Sequence, residues 1–412
     1  MMLLVDAARA RVLEAIDPLE PRSVALEDAH GAVLAEEVRA AHPLPRFDNS
    51  SMDGFAVRAA DCHDASETEP VTLAVAGEVR AGSAALPEVR AGTAVRIMTG
   101  APLPPGADAI VPVEETSERD AEVVVRGATA AGRFIRRAGE DVGEGDLLIA
   151  AGTELGAGEI AMAASAGASP VMVRGAPKVA IVVTGDELVA PSEDPGEGSI
   201  RDSNQVALAA LVREAGGEPV LVGPAPDDFE LLKAAFERAA GVGDVVVSTG
   251  GVAVGKYDYV KAVVEDLGRV DLWRVAMQPG KPVVLGAIGG TPFLGLPGNP
   301  VSVHVSFEQF VRPALRKMRG CSALLRPTMS ARLVGALEKP PGRLHFVRVR
   351  LRPVPQGWDA IPTGPQGSHI QSSLVDCHGL VRFPVDEVRL EDGASVIVEV
   401  WRLPNEDDND AS

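Results

Sequence analysis

Three short turns at the ends of apolar runs, together with one acidic pair, carry the residue types best suited to chemistry. Ser248-Thr249-Gly250-Gly251 follows Val245-Val246-Val247, and Thr184-Gly185-Asp186-Glu187 follows Val179–Val183. Pro297-Gly298-Asn299-Pro300 closes Phe293-Leu294-Gly295-Leu296, and Asp227-Asp228 stands beyond the strand at Val220. Glycine turns and Ser/Thr hydroxyls suit a phosphate, because bare backbone N–H groups can approach its oxygens. Asp186, Glu187, Asp227 and Asp258 offer hard oxygen ligands, which suit Mg²⁺. Lys281 and Arg274 offer cations for anionic oxygens. A divalent cation between such carboxylates and a phosphate lowers the barrier to phosphoanhydride cleavage by stabilising developing charge. Taken singly, each turn reads as ordinary loop geometry, and Asp227-Asp228 as a helix cap contributing about 0.3–2 kcal/mol.

The elements around these turns decide between the two readings. From Lys178 to Arg319 apolar strands alternate with helical stretches at Asn204–Ala215, Asp227–Ala240, Val260–Leu267 and Pro300 onward. That alternation predicts βαβ units and a mostly parallel sheet. In an open sheet of this kind ligands bind outside the carboxyl ends of the strands. All four polar ends then fall on one edge, which favours a site. Earlier in the chain, helices are expected over Val5–Ile16, Glu27–Val38 and Glu154–Ala166. Short alternating runs from Val71 to Arg126 predict a small β domain, and those from Leu324 to Pro404 a β barrel or sandwich. Arg133, Arg136 and Arg137 read as a solvated face, with anion capture as the second option.

Composition narrows the class. The chain has 412 residues, enough for about three domains. A net charge of −19 disfavours nucleic acid and anionic membrane as partners. No apolar run reaches the ~20 residues of a membrane span, and the N-terminus lacks the basic and apolar regions of a signal peptide. Cys62, Cys321 and Cys377 form no C-x-x-C and argue for a reducing compartment, so a cytoplasmic location is expected. Neither a Walker G-x-x-x-x-G-K-[ST] nor a G-x-G-x-x-G after a strand is present, and there is no G-x-S-x-G elbow.

The motifs together resemble the molybdopterin molybdenumtransferase family, which includes the C-terminal domain of gephyrin. The resemblance rests on Phe47–Val57, Arg96–Pro102, Thr184–Leu188, Ser248–Val252, Pro279–Pro282 and Gly295–Pro300, in order along nearly the whole chain, with Gln366-Gly367-Ser368-His369 near its end. It implies a homodimer of four-domain subunits: an elongated discontinuous N-terminal domain (1–43 and 140–174), a small inserted β domain (44–139), an α/β molybdopterin-binding domain (175–323) and a C-terminal β barrel (324–404), before an acidic tail (405–412) read as disordered. It implies transfer of molybdenum from molybdate into adenylylated molybdopterin with release of AMP and a need for Mg²⁺, the last step of molybdenum cofactor biosynthesis.

The same resemblance places catalytic positions on Asp53, Thr99, Glu187, Asp227, Asp258, Arg274 and Lys281. It adds Arg348 and Ser368 as substrate-binding positions; the turn residues Ser248, Thr249, Gly250, Gly251, Pro297, Gly298, Asn299 and Pro300 are read as substrate-binding, and Asp186, Glu187, Asp227 and Asp258 as the metal set, from their residue types at the strand ends. Asp53 and Thr99 are expected from the partner subunit. Bacterial relatives often carry Lys where this chain has Arg274 and Gln278, so one charge is missing at Gln278, for which Arg136 and Arg137 are candidates to compensate. Other cofactor-biosynthesis proteins are further candidate partners. The rival readings are a molybdopterin adenylyltransferase and a gephyrin-like scaffold.

Overall fold

The structure is a computed structural model that describes residues 2–251 and 259–404. It divides into two compact units: Met1–Glu36, Ala151–Ala157 and Pro170–Ser412 form one, and Glu37–Ala150 with Gly158–Ser169 the other. The stretches read as one elongated N-terminal domain therefore contribute to both.

The smaller unit is built on a six-stranded sheet. Its strands are β1 (Gly54–Val57), β2 (Val71–Val79), β3 (Thr93–Ile97), β4 (Ala109–Pro112), β5 (Thr116–Arg119) and β6 (Glu122–Val125), in the order β4-β1-β3-β2-β6-β5. Both faces of β1 are buried. Phe55 and Val57 pack with Leu73, Val111 and Val123, whereas Ala56 packs with Val79, Val95 and Ile97. Alternation along a pleated strand makes that division.

In the larger unit α1 (Val5–Glu14) packs against the helical stretch that follows Pro300. Glu27–Val38 is not the expected helix. It holds one short 3₁₀ turn, Leu26–Asp28, and two short strands, Val33–Leu34 and Val38–Arg39, paired with Val171–Arg174 and Leu147–Ile149. Cross-strand pairing with distant segments overrides the local helical pattern.

The α/β domain runs through β7 (Lys178–Thr184), α2 (Asn204–Glu214), β8 (Glu218–Ala225), α3 (Phe229–Val242), β9 (Val245–Thr249), α4 (Tyr259–Leu267), β10 (Gly268–Arg274), β11 (Pro282–Ile288), β12 (Thr291–Leu296) and α5 (Pro300–Ser306). The sheet order is β8-β7-β9-β12-β11-β10. Strands β8, β7, β9 and β12 are parallel; β11 turns back antiparallel to β12, and the edge strand β10, antiparallel to β11, runs with the parallel set again. The continuous apolar runs follow from burial on both faces. Val179, Ile181 and Val183 join a core with α1 and α2; Ala180 and Val182 join one with α3 and α4, where Phe236 meets Phe293 edge to face at 5.5 Å.

Strands β13 (Thr328–Leu333), β14 (Leu344–Val354), β15 (Gly357–Pro362), β16 (Gly379–Phe383) and β17 (Ser395–Val400) close into a barrel through the β14–β16 pairing. Val347, Val349 and Leu351 point inward, while Leu344 and Phe346 point out and share the core of the α/β domain. Met277 and Gln278 pair in parallel with Leu344 and His345, so main-chain hydrogen bonds join the barrel to the α/β domain. No helix of the described residues is long and apolar enough to cross a membrane. All three cysteines are buried and free.

Candidate active site

The carboxyl ends of the parallel strands open into a cleft of about 740 Å³. Its wall takes Thr184 and Glu187 from the turn after β7, Thr249, Gly250 and Gly251 from the turn after β9, and Pro297 to Pro300 from the turn after β12. Gln278, Gly280 and Lys281 line it from the segment before β11, and Gln366, Gly367 and Ser368 from the barrel. The sheet-edge expectation thus brings together three of the four polar ends.

Gly250 is what lets the turns meet. It has φ +92°, and a Cβ there would lie 2.6 Å from Thr184 Oγ1 and 2.7 Å from Thr184 O. A side chain would force the β7 and β9 turns apart. On its other side, a Cβ on Gly298 would be 3.7 Å from Gly250 Cα.

The strand pleat settles which hydroxyls face the cleft. Ser248 is fully buried within β9, and its Oγ has no hydrogen-bond partner among the described residues. Thr249 is 1% exposed, and its hydroxyl donates to Pro297 O at 2.9 Å. Both were expected as substrate-binding hydroxyls; one lies in the core and the other is committed to the neighbouring turn. Pro297 is also buried, whereas Gly298 and Asn299 are exposed. Asn299 Nδ2 donates to Ser368 Oγ at 3.0 Å, tying the β12 turn to the barrel.

Arg348 is likewise not at the cleft surface. It is 0% exposed, on the outer face of β14 beneath the loop from Thr363 to Ser373. Its Nε donates to Ser373 Oγ at 3.0 Å and its Nη2 to Gly367 O at 3.2 Å, while Gln366 Oε1 accepts from its backbone N–H. Nη1 has no hydrogen-bond partner among the described residues, and burial pulls the guanidinium pKa down to about 10. Arg348, expected at the substrate, lies here as a buried hub under the loop carrying Ser368.

The adjacent aspartates have separate roles. Asp228 caps α3, its Oδ1 accepting from Leu231 N at 3.0 Å. Asp227 is free of the cap and turns to the β7 loop, where its N–H donates to Asp186 Oδ1 at 3.0 Å. Its carboxyl is held above the usual range, first by burial and then by the negative charges of Asp186 and Glu187. Among the described residues no three His, Cys, Asp or Glu side chains are placed to hold a metal ion. Asp258 lies outside the described residues.

Arg274 is exposed at the end of edge strand β10 and is not part of the cleft wall. Lys281 is exposed on the wall and makes no ion pair among the described residues. The arginines offered as compensation for Gln278 are otherwise engaged or lie in the smaller unit: Arg137 pairs with Asp48 at 2.6 Å, and Arg136 is an exposed residue of that unit. In the same unit, Thr99 donates to Asp53 through both its N–H and its hydroxyl.

Sequence reasoning missed the stretch Ile200 to Asn204 and Arg343, all of which line the cleft. Arg201 is tied to Glu193 O at 3.1 Å, and Asp202 accepts from Gln205 N at 3.0 Å. Arg343 directly precedes β14 of the barrel and makes no ion pair among the described residues. The one available signal was the polar cluster Arg201-Asp202-Ser203-Asn204 at a helix start.

Comparison with known proteins gives a consistent result. Three family descriptions match in order: MoeA N-terminal region (domain I and II) over residues 3–167, probable molybdopterin binding domain over 180–317, and MoeA C-terminal region (domain IV) over 330–401. Molybdopterin molybdenumtransferase 2 of Mycobacterium tuberculosis is 40% identical over 399 residues, covering 95% of this chain and 97% of the relative. Molybdopterin molybdenumtransferase of Haemophilus influenzae is 35% identical over 402 residues, covering 97% and 98%. A solved molybdopterin biosynthesis MoeA protein from Pyrococcus horikoshii aligns with a TM-score of 0.82 at 32% identity, covering 97% of this chain and all of that one. With its three matched regions in order and relatives of that name along nearly its full length, the chain belongs to the MoeA family of molybdopterin molybdenumtransferases.

Proposed function

We propose that the chain inserts molybdenum from molybdate into adenylylated molybdopterin and releases AMP, the last step of molybdenum cofactor biosynthesis. The observation that carries this reading is the cleft at the strand ends, where glycine turns, Glu187 and Lys281, the last without an ion pair among the described residues, line one wall in a chain of this family. The cleft-lining backbone of Gly250, Gly251, Gly298 and Asn299 receives the phosphate groups, with Pro300 starting the helix behind them. Lys281 neutralises anionic oxygens of phosphate or molybdate. Ser368 offers a hydroxyl from the barrel side.

A magnesium ion fits the chemistry of the acidic group. Asp186, Glu187 and Asp227 are hard oxygen donors, and the Asp227 carboxyl, raised first by burial, is raised further by the charges of the other two, which a cation would offset. The three are not gathered into a ready-made cage, so one or two of them would hold it, with Asp258 as a further candidate and substrate oxygens completing the coordination. Bound there, magnesium would polarise the phosphoanhydride and offset charge on the departing AMP. Asp186 and Asp227 meanwhile keep each other in place through the Asp227 N–H.

Asp53 and Thr99 are assigned to the partner subunit's contribution in a homodimer, where they orient molybdate or the pterin. Arg274, outside the cleft wall, acts at longer range on approaching anions. A cytoplasmic setting, with other cofactor-biosynthesis proteins as partners, goes with this reading. The adenylyltransferase alternative uses ATP and free molybdopterin instead. Purified protein given adenylylated molybdopterin, magnesium and molybdate should release AMP only when molybdate is present. Product formed solely from ATP and free molybdopterin would overturn the proposal.

A further inference from the structure

Asn204 opens helix α2 and lines the cleft. Its Nδ2 donates to Gly298 O at 2.7 Å and lies 3.3 Å from Thr249 Oγ1. Thr249 Oγ1 donates its single proton to Pro297 O, so it must accept from Asn204. Gly298 O can only accept, which fixes the amide nitrogen toward it. The polar chain therefore has one direction, from Asn204 to the β9 turn and on to the β12 turn. No hydrogen bond joins the Asn204 side chain to its own helix among the described residues, so helix capping does not explain it. Nor does burial, since the residue is only half-buried at the cleft wall.

We infer that Asn204 is a positioning residue of this cleft: it latches the Thr249–Gly251 turn to the Pro297–Asn299 turn and so sets the spacing of the two glycine turns that receive the substrate's phosphate groups. The inference rests on the functional reading given above. Gly250 and Gly298 are in near contact without any side chain between them. Glycine turns hold no shape of their own, so a hydrogen-bonded relay beside them is what keeps their amides in place. The relay asks for an amide donor at position 204 and a hydroxyl at position 249.

The test compares Asn204→Ala, Thr249→Val, Thr249→Ser and the Asn204→Ala/Thr249→Val double variant. Steady-state AMP release gives KM and kcat for adenylylated molybdopterin, calorimetry gives the Kd of AMP, and thermal melting reports folding. Asn204→Ala should raise KM and the AMP Kd about tenfold, the worth of one good hydrogen bond. Its kcat should stay within about threefold of wild type. Thr249→Val should follow it, Thr249→Ser should match wild type, and the double variant should be no worse than the weaker single. Unchanged KM and AMP Kd in a folded Asn204→Ala protein would overturn the latch, as would multiplying effects in the double variant. A wild-type protein without molybdate-dependent AMP release would instead overturn the functional reading.

Discussion

The amide and the hydroxyl of Thr99 converge on one carboxylate oxygen of Asp53, at 2.7 and 2.8 Å. Sheet register makes this meeting: Asp53 directly precedes β1, Thr99 follows β3, and Gly54 pairs with Ile97. The two donors, the amide foremost, hold the Asp53 carboxyl below its ordinary range. A depressed carboxyl adds stability above its unfolded pKa and loses it as pH falls through the folded value. Thr99→Val should move the Asp53 titration, followed by carboxyl NMR, partway back up. It should cost stability at neutral pH and not in strong acid. An unshifted titration would refute the pairing.

Asp227 has the opposite sign. Its raised carboxyl favours the fold below the unfolded pKa and withdraws that support as pH rises through the folded value. Removing one neighbouring charge with Glu187→Gln should lower the Asp227 pKa and flatten this pH dependence. Magnesium should raise the melting temperature of wild type at neutral pH and have much less effect on Asp227→Asn. Equal responses in the two proteins would count against a cation at this group.

Gly250→Ala should destabilise the protein by about 1–3 kcal/mol, because the conformation is left-handed and the added carbon meets backbone. Denaturant midpoints measure the loss. AMP binding should weaken as well, since the β7 and β9 turns must separate. A variant with wild-type stability would show that Thr184 can give way.

Arg348→Met tests the hub under the barrel loop. It removes a buried charge that has no carboxylate partner, so global stability should change by no more than about 2 kcal/mol. The loop around Gly367 and Ser368 loses its guanidinium anchors but keeps the Gln366 bond to the backbone of residue 348 and the Asn299 bond to Ser368, so amide exchange there should rise while the barrel strands stay protected. Activity should fall with the loop. Unchanged exchange with lost activity would return Arg348 to a direct role.

The architecture was legible where burial writes itself into the chain. Val179–Val183 and Val245–Val247 read as strands because both sheet faces are covered, and the turns after them had to fall on one edge. Strand β10 escaped notice because its charged Arg269 and Asp271 suit an edge, not a core. Side-chain direction was the larger gap. Whether Ser248 or Thr249 faces a ligand depends on the pleat, and Arg348 points beneath a loop that motif spacing cannot orient. Asn204 was hidden because its partners, Thr249 and Gly298, are distant in the chain and carry no shared pattern.

The pairing of Met277 and Gln278 with Leu344 and His345 has a mechanical result. Two facing walls, one from the sheet and one from the barrel, are stitched by main chain over a common apolar core. Swinging the barrel wall that carries Ser368 away from the wall that carries Lys281 would require breaking this seam and opening the core beneath it.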